Sequence, residues 1–333
     1  MIDLHLHLDG SLTASEICFL AEQQKIELPA NTPEALQPYL TASDCRDLTD
    51  YLKCFDIPLS VLQTPAAVEY AVTALLYRLR HMMYAEIHFA PQLHTKRGMS
   101  QGEAVAAAIR SLRNAEQIKR ADLMGSGLIL CLMRGADNWD ANIETVAVAE
   151  RYLGKGVCAV DLAGAEALYP TADYVNIFSE LDKRGVPFTI HAGEAAGPDS
   201  IWAALSCGAK RIGHGVRCVE DPMLMEELAR RKTVLELCPS SNVQTKAVKS
   251  IEEFPIKEIL ACGIPATINT DNMTVSSTTI NRELDLLRRS CGLTRDEERR
   301  LMLNAAAASF QPGEEKRYLE LRFNRRWMHG WRE

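Results

Sequence analysis

Short apolar runs, each followed by an amphipathic stretch, constrain this chain more than any other feature. Runs at 84–90, 127–133, 157–162, 187–191, 211–214, 233–238 and 265–271 read as strands, and the opening Met1-Ile2-Asp3-Leu4-His5-Leu6-His7-Leu8-Asp9 adds an eighth. Helical stretches separate them. Ser100-x-x-Glu103 opens one that runs to about Lys119. Others cover 140–152, Pro170 to Arg184, the residues before Gly208, Pro222 to Arg231 and the residues before Gly263. Strands alternating with helices make a parallel sheet with helices outside. Eight such units in 333 residues predict an α/β fold, a closed TIM-type (β/α)8 barrel spanning 1–333 as one domain. An open doubly wound sheet would place a Gly-rich phosphate turn after its first strand. Here that position holds Asp9-Gly10-Ser11-Leu12.

The barrel carries extra helices at its C-terminus and between its first two strands. Thr13-x-x-Glu16 is a capping box opening an amphipathic helix to about Lys25. Residues 26–63 read as irregular and then helical. Thr64-Pro65, a cap followed by proline in the first turn, starts a helix to about His81. The insertion therefore spans 26–82. Within it Leu48, Tyr51, Leu52, Phe55, Leu59 and Leu62 recur at helical spacing. They form either a packed helix or a lid over a pocket.

Composition narrows the function. The net charge is −7 with no basic block, which argues against nucleic acid. None of the ten cysteines forms a CxxC pair, so a cysteine zinc knuckle is not expected. Several, such as Cys131 within 128–132, read as small buried hydrophobes. No apolar run approaches the ~18 residues of a membrane span. The chain opens directly on its first strand, leaving no room for a signal peptide. A cytoplasmic protein without membrane contact is expected.

A barrel places its chemistry at the C-terminal ends of its strands, and the polar residues gather there. The first strand alternates so that His5, His7 and Asp9 share a face. The fifth ends in His191-Ala192-Gly193-Glu194, the sixth in Gly213-His214-Gly215, the eighth in Thr270-Asp271-Asn272. Each has a plainer reading: exposed edge histidines, a core histidine, a solvated loop charge, a turn residue, a helix cap. Their coincidence at one rim favours a site. Three imidazoles and a carboxylate suit zinc or another first-row divalent ion. A bound water would fill the remaining position, its pKa lowered toward ~7. The fourth strand reads Ala159-Val160-Asp161-Leu162. Without a lysine there to bridge two ions, one metal per chain is expected. Glu194 stands close enough to act on a substrate without binding the ion, and His214 is a candidate base or electrostatic partner for the water.

With these residues in place the sequence resembles the adenosine deaminase family of the metal-dependent amidohydrolase superfamily. The resemblance is carried by His5-Leu6-His7-Leu8-Asp9-Gly10-Ser11, Asp161-Leu162-Ala163-Gly164, His191-Ala192-Gly193-Glu194, Arg211-Ile212-Gly213-His214-Gly215, Cys238-Pro239-Ser240-Ser241-Asn242 and Asn269-Thr270-Asp271-Asn272. It extends to Asn304-Ala305-Ala306-Ala307-Ala308-Ser309-Phe310. It implies one Zn2+ held by His5, His7, His191 and Asp271. It implies Glu194 as proton donor to the purine ring, and His214 as the group that orients or deprotonates the water. His7, Asp9, Gly164 and Asn272 would meet substrate, with Asp9 on the ribose 5′-hydroxyl and the Gly164 N–H on the purine. Leu48, Tyr51, Leu52 and Phe55 would form an apolar lid. The implied reaction is hydrolysis of adenosine and 2′-deoxyadenosine to inosine and ammonia. The alternatives are another 6-aminopurine, such as free adenine or a modified nucleoside, and a catalytically inactive binding barrel. Two positions depart from the family pattern: Asn272 stands where a second Asp is common, and Ala165 where an acidic residue often follows the glycine.

Overall fold

The computed structural model describes residues 1–116 and 125–328. Eight parallel strands are present: β1 Ile2–His7, β2 Tyr84–Phe89, β3 Ser126–Met133, β4 Val157–Ala163, β5 His191–Ala192, β6 Arg211–His214, β7 Val234–Leu237 and β8 Ala266–Ile268. Regular ladders run β1-β2-β3-β4 and β5-β6-β7-β8. Backbone hydrogen bonds close both seams. His7 N–H donates to the Asp271 carbonyl at 2.7 Å and Asp271 N–H to the His5 carbonyl at 2.8 Å. Opposite, Val160 N–H donates to the Pro187 carbonyl and Thr189 N–H to the Val160 carbonyl, at 2.9 and 3.0 Å. The sheet is thus the expected barrel.

Three strands are shorter than the sequence suggests, the first because β1 stops at His7 and Asp9 opens a tight turn, Asp9–Ser11. The segment 187–191 joins β4 through Phe188 alone before β5 begins at His191. Pro187 has no N–H to give the ladder. The segment 265–271 leaves regular pairing after Ile268, and Asp271 adopts a left-handed backbone at φ +56°. Helices differ too. Residues 48–61 are not one helix but Leu48–Leu52, a tight turn Lys53–Phe55 and Asp56–Val61. Pro58 cannot donate to the carbonyl of Cys54, which loosens the helix at that point. Pro33–Leu40 is a helix capped by the Thr32 side chain, within a stretch the sequence left irregular. The helix opened by Ser100 begins at Gln101 and is described to Glu116; its expected end at Lys119 lies outside the described residues. The Thr13 capping box forms as the sequence indicates.

Alternation along the strands sorts two interiors. On β2, Ala85, Ile87 and Phe89 join the apolar layer under the helices, while Glu86 and His88 are buried and bonded to groups on other strands. Asp161, Arg211 and Glu236 are likewise buried polar groups on their strands. The apolar layer runs continuously round the barrel from Ile2 to Phe323. Among the described residues no single helix is long and apolar enough to cross a membrane.

Candidate active site

The rim of the barrel assembles the four side chains that the sequence singled out. His5 and His7 come from β1, His191 from β5, and Asp271 from the turn after β8. The His5 and His191 Nε2 atoms are 3.0 Å apart, His7 and His191 3.3 Å, and His7 and His5 3.4 Å. Asp271 Oδ1 stands 3.5 Å from His7 Nε2 and 3.8 Å from His5 Nε2. Donor atoms round a tetrahedral ion bound at ~2.0–2.1 Å stand about 3.3 Å apart. These four side chains therefore fit one small divalent cation. Gly213 makes the room: a Cβ there would lie 2.9 Å from His5 Cε1.

The far side of each ring decides which nitrogen faces the centre. His5 Nδ1 lies 2.7 Å from Glu236 Oε2, and His191 Nδ1 lies 2.8 Å from Asp161 Oδ2. A carboxylate on Nδ1 fixes the tautomer and leaves Nε2 as donor to a metal. Burial, followed by neighbouring imidazoles, holds His5 and His7 well below the usual histidine range, so they are neutral. Burial pulls His191 down as well, but the Asp161 carboxylate outweighs it and raises the ring, and a cation bound at Nε2 would displace the proton there. Asp161 itself stays well below the usual carboxylate range despite its burial, because His191 and His88 face it.

Glu236 is anchored in turn. It accepts from Arg211 Nε and from Thr189 Oγ1 at 3.0 Å. Arg211 reaches Glu86 at 2.5 Å and the Leu4 carbonyl at 3.0 Å. Sequence reading places Asp161 in a family motif but without a contact, and it assigns Glu236, Glu86 and His88 no role. The signal was available: Val234-Leu235-Glu236-Leu237 places one carboxylate inside an apolar run.

Beside the cation centre sit the two candidate proton carriers. Glu194 is 5% exposed, and His214 Nε2 lies 3.5 Å from its Oε2. Burial and then the Asp271 carboxylate raise the Glu194 carboxyl above its ordinary range. Burial is the larger cause, and it persists when a cation neutralises Asp271. His214 is kept neutral by burial and by His191. The Asn242 side-chain amide meets its Nδ1 at 2.9 Å, a role the sequence reading did not give Asn242. His214 holds a left-handed backbone at φ +59°. A non-glycine residue in that region at a strand end is a stored strain of the kind found at functional sites.

A cleft of about 270 Å³ opens over these groups, a size for a small molecule. Every other residue expected at the site lines it: Asp9, Gly164, Asn272, and Leu48, Tyr51, Leu52 and Phe55 from the insertion. Those four apolar side chains pack with Val275 and Ala195. Tyr51 is also tied down by polar contacts, its hydroxyl 2.8 Å from Ser276 Oγ and accepting from Asn272 Nδ2 at 3.0 Å. Asn272 Nδ2 also donates to Asp271 Oδ1 at 2.7 Å. Burial raises the Asp9 carboxyl to about 6.

Comparison with known proteins adds the last finding. The family model described as adenosine deaminase matches residues 1–324. An adenosine deaminase of Haemophilus ducreyi is 50% identical over 325 residues, 96% of this chain and 94% of that protein. One from Clostridium botulinum is 38% identical over 324 residues, 96% and 95% of the two chains. Among solved structures, an adenine deaminase from Arthrobacter aurescens superposes with a TM-score of 0.89 at 27% identity, covering 99% of both chains. The N6-methyl-AMP deaminase of Arabidopsis thaliana superposes at 0.85 with 25% identity, covering 99% and 97%.

Proposed function

Because this chain belongs to the adenosine deaminase family, matching it along nearly its whole length, we propose that it hydrolyses adenosine and 2′-deoxyadenosine to inosine and ammonia. The observation that carries this reading is the convergence of four candidate ligand atoms beside a buried Glu194 beneath an apolar cover. His5, His7, His191 and Asp271 would hold one zinc ion, and zinc bound there supplies a Lewis acid that lowers the pKa of water.

The chain's own residues supply the rest. Glu194 gives its proton to the ring nitrogen beside the amino-bearing carbon, which makes that carbon electrophilic. Water adds to it, and the neutral His214 takes the proton released. His214 returns that proton to the amine, which leaves as ammonia, while the added hydroxyl gives its proton to Glu194 and becomes the ring carbonyl of inosine. An acid of this kind needs a carboxyl raised by a dry pocket. Leu48, Tyr51, Leu52 and Phe55 serve as the lid that keeps it dry. Asp9 meets the 5′-hydroxyl, the Gly164 backbone meets the purine, and Asn272 contacts its five-membered ring as donor or acceptor.

Charge favours a nucleoside over a nucleotide. Arg134 is the one Lys or Arg among the cleft-lining residues, and its guanidinium donates to the carbonyls of Tyr169 and His191 and to Thr171 Oγ1. A 5′-phosphate at the position of the 5′-hydroxyl would instead meet the carboxyl of Asp9, which lines the cleft. Ammonia release from adenosine, 2′-deoxyadenosine, adenine and AMP tests the assignment. Adenosine is expected to give the highest kcat/KM, and a preference for adenine or AMP would overturn it.

A further inference from the structure

Glu166 lies two residues beyond Gly164, after β4, and is 2% exposed. A carboxylate so buried is costly unless its oxygens are saturated with hydrogen bonds. Here five donors saturate it. The backbone N–H groups of Gly193, Glu194, Ala195 and Ala196 reach it at 2.7, 3.0, 2.6 and 3.0 Å. Ser200 Oγ adds a fifth bond at 2.5 Å. Successive N–H groups turned toward one point form a nest, a backbone shape that binds anions. Gly193 permits it at φ +73°, where any Cβ would also stand 2.4 Å from Ile201 Cδ1.

The turn held in this way is the one that carries Glu194. Its anchor belongs to the segment whose Gly164 lines the same cleft. One side chain thus joins the purine-facing segment to the acid-bearing segment. The network continues: Ser200 Oγ lies 2.8 Å from Thr171 Oγ1, which accepts from Arg134 Nη2, and that nitrogen also donates to the His191 carbonyl at 2.7 Å.

We propose that Glu166 is a positioning residue for the deamination, an internal carboxylate seated in an anion nest that aims Glu194, and that the nest accepts a small free carboxylate when this side chain is removed. The proposal rests on the reading of Glu194 as proton donor. It acts on kcat: misplacing a reacting group by about 1 Å costs about 10²-fold.

The test compares metal-loaded Glu166→Ala with the wild type, in the absence and presence of sodium formate or acetate. The expected result is a kcat lower by about 10²-fold, with KM for adenosine held within about threefold and a saturable recovery of about tenfold with one of the two anions. Neither anion should help the wild type or Glu194→Gln. A kcat within about twofold of wild type overturns the proposal, and so does a loss that neither anion recovers. Should Glu166→Ala fail to fold, Glu166→Gln decides. Its amide nitrogen cannot accept from the nest, so kcat should fall at least about tenfold at steady KM, and an unchanged kcat overturns the proposal. Glu194→Gln, assayed alongside, separates the two failures: if it keeps turnover, the proton-donor reading falls on its own.

Discussion

The two halves of the barrel divide its work. β1 to β4 are ladders of six to eight residues, whereas β5 to β8 have two to four. His191, Glu194, His214 and Asp271 all come from the second half, and only His5 and His7 from the first. His214 and Asp271, the non-glycine residues at positive φ at or just after a strand's C-terminal end, also belong to the second half. Each such residue costs of order 1–3 kcal/mol and persists only where its surroundings over-determine it. The first half pairs regularly and lines the cleft with Asp9, Gly164 and the apolar cover; the second gives up regular pairing where Glu194, His214 and Asp271 turn into that cleft.

Substitutions in the two halves should therefore fail in different ways. The largest effect is expected from Glu194→Gln in the second half. It should keep the metal and the melting temperature while kcat falls by about 10³-fold or more, since it removes the proton donor and leaves its shape. The raised carboxyl sets a sign for pH as well: wild-type kcat should fall as pH rises through it, because the protonated form is the active one. Retained turnover, or a rate that climbs steadily with pH, would remove Glu194 from this role.

Glu236→Gln should act at one remove, through His5. Metal affinity is expected to drop by about 10–100-fold, read by competition with a chelator, with kcat of the fully loaded protein much less affected. Ile87→Ala, in the apolar layer of β2, should do the reverse. A loss of about 2–5 kcal/mol in stability by denaturant unfolding is expected, with kcat within about twofold of wild type. A kcat more than about tenfold lower would show that the regular half is not mere scaffold. Smallest is Thr13→Ala, which removes a helix cap at a cost of about 1 kcal/mol and leaves turnover unchanged.

The regular half was also the more legible. β2 to β4 begin and end within about a residue of their apolar runs, because pairing and burial there obey period two, and β1 stops two residues short of its expected end at Asp9. β5 and β8 were read too long, since Pro187 withholds a donor and Asp271 turns left-handed, and neither effect shows in hydrophobicity. The candidate ligands that meet at the rim were legible because histidines at strand ends have little else to do. Their supports were not: Asp161, Glu236 and Asn242 look like interruptions until the fold sets each against an imidazole. Glu166 was hidden by its neighbour. The acidic position looked lost at Ala165, while the next residue carried the carboxylate that holds the Glu194 turn.

The central claim is that side chains from β1, β5 and the turn after β8 hold one cation without which water does not attack. Chelator-stripped protein, titrated with zinc while inosine formation is followed, tests this most directly. Turnover should be near zero at the start and rise linearly to a plateau at one ion per chain. Stripped protein that converts adenosine at the full rate would contradict it.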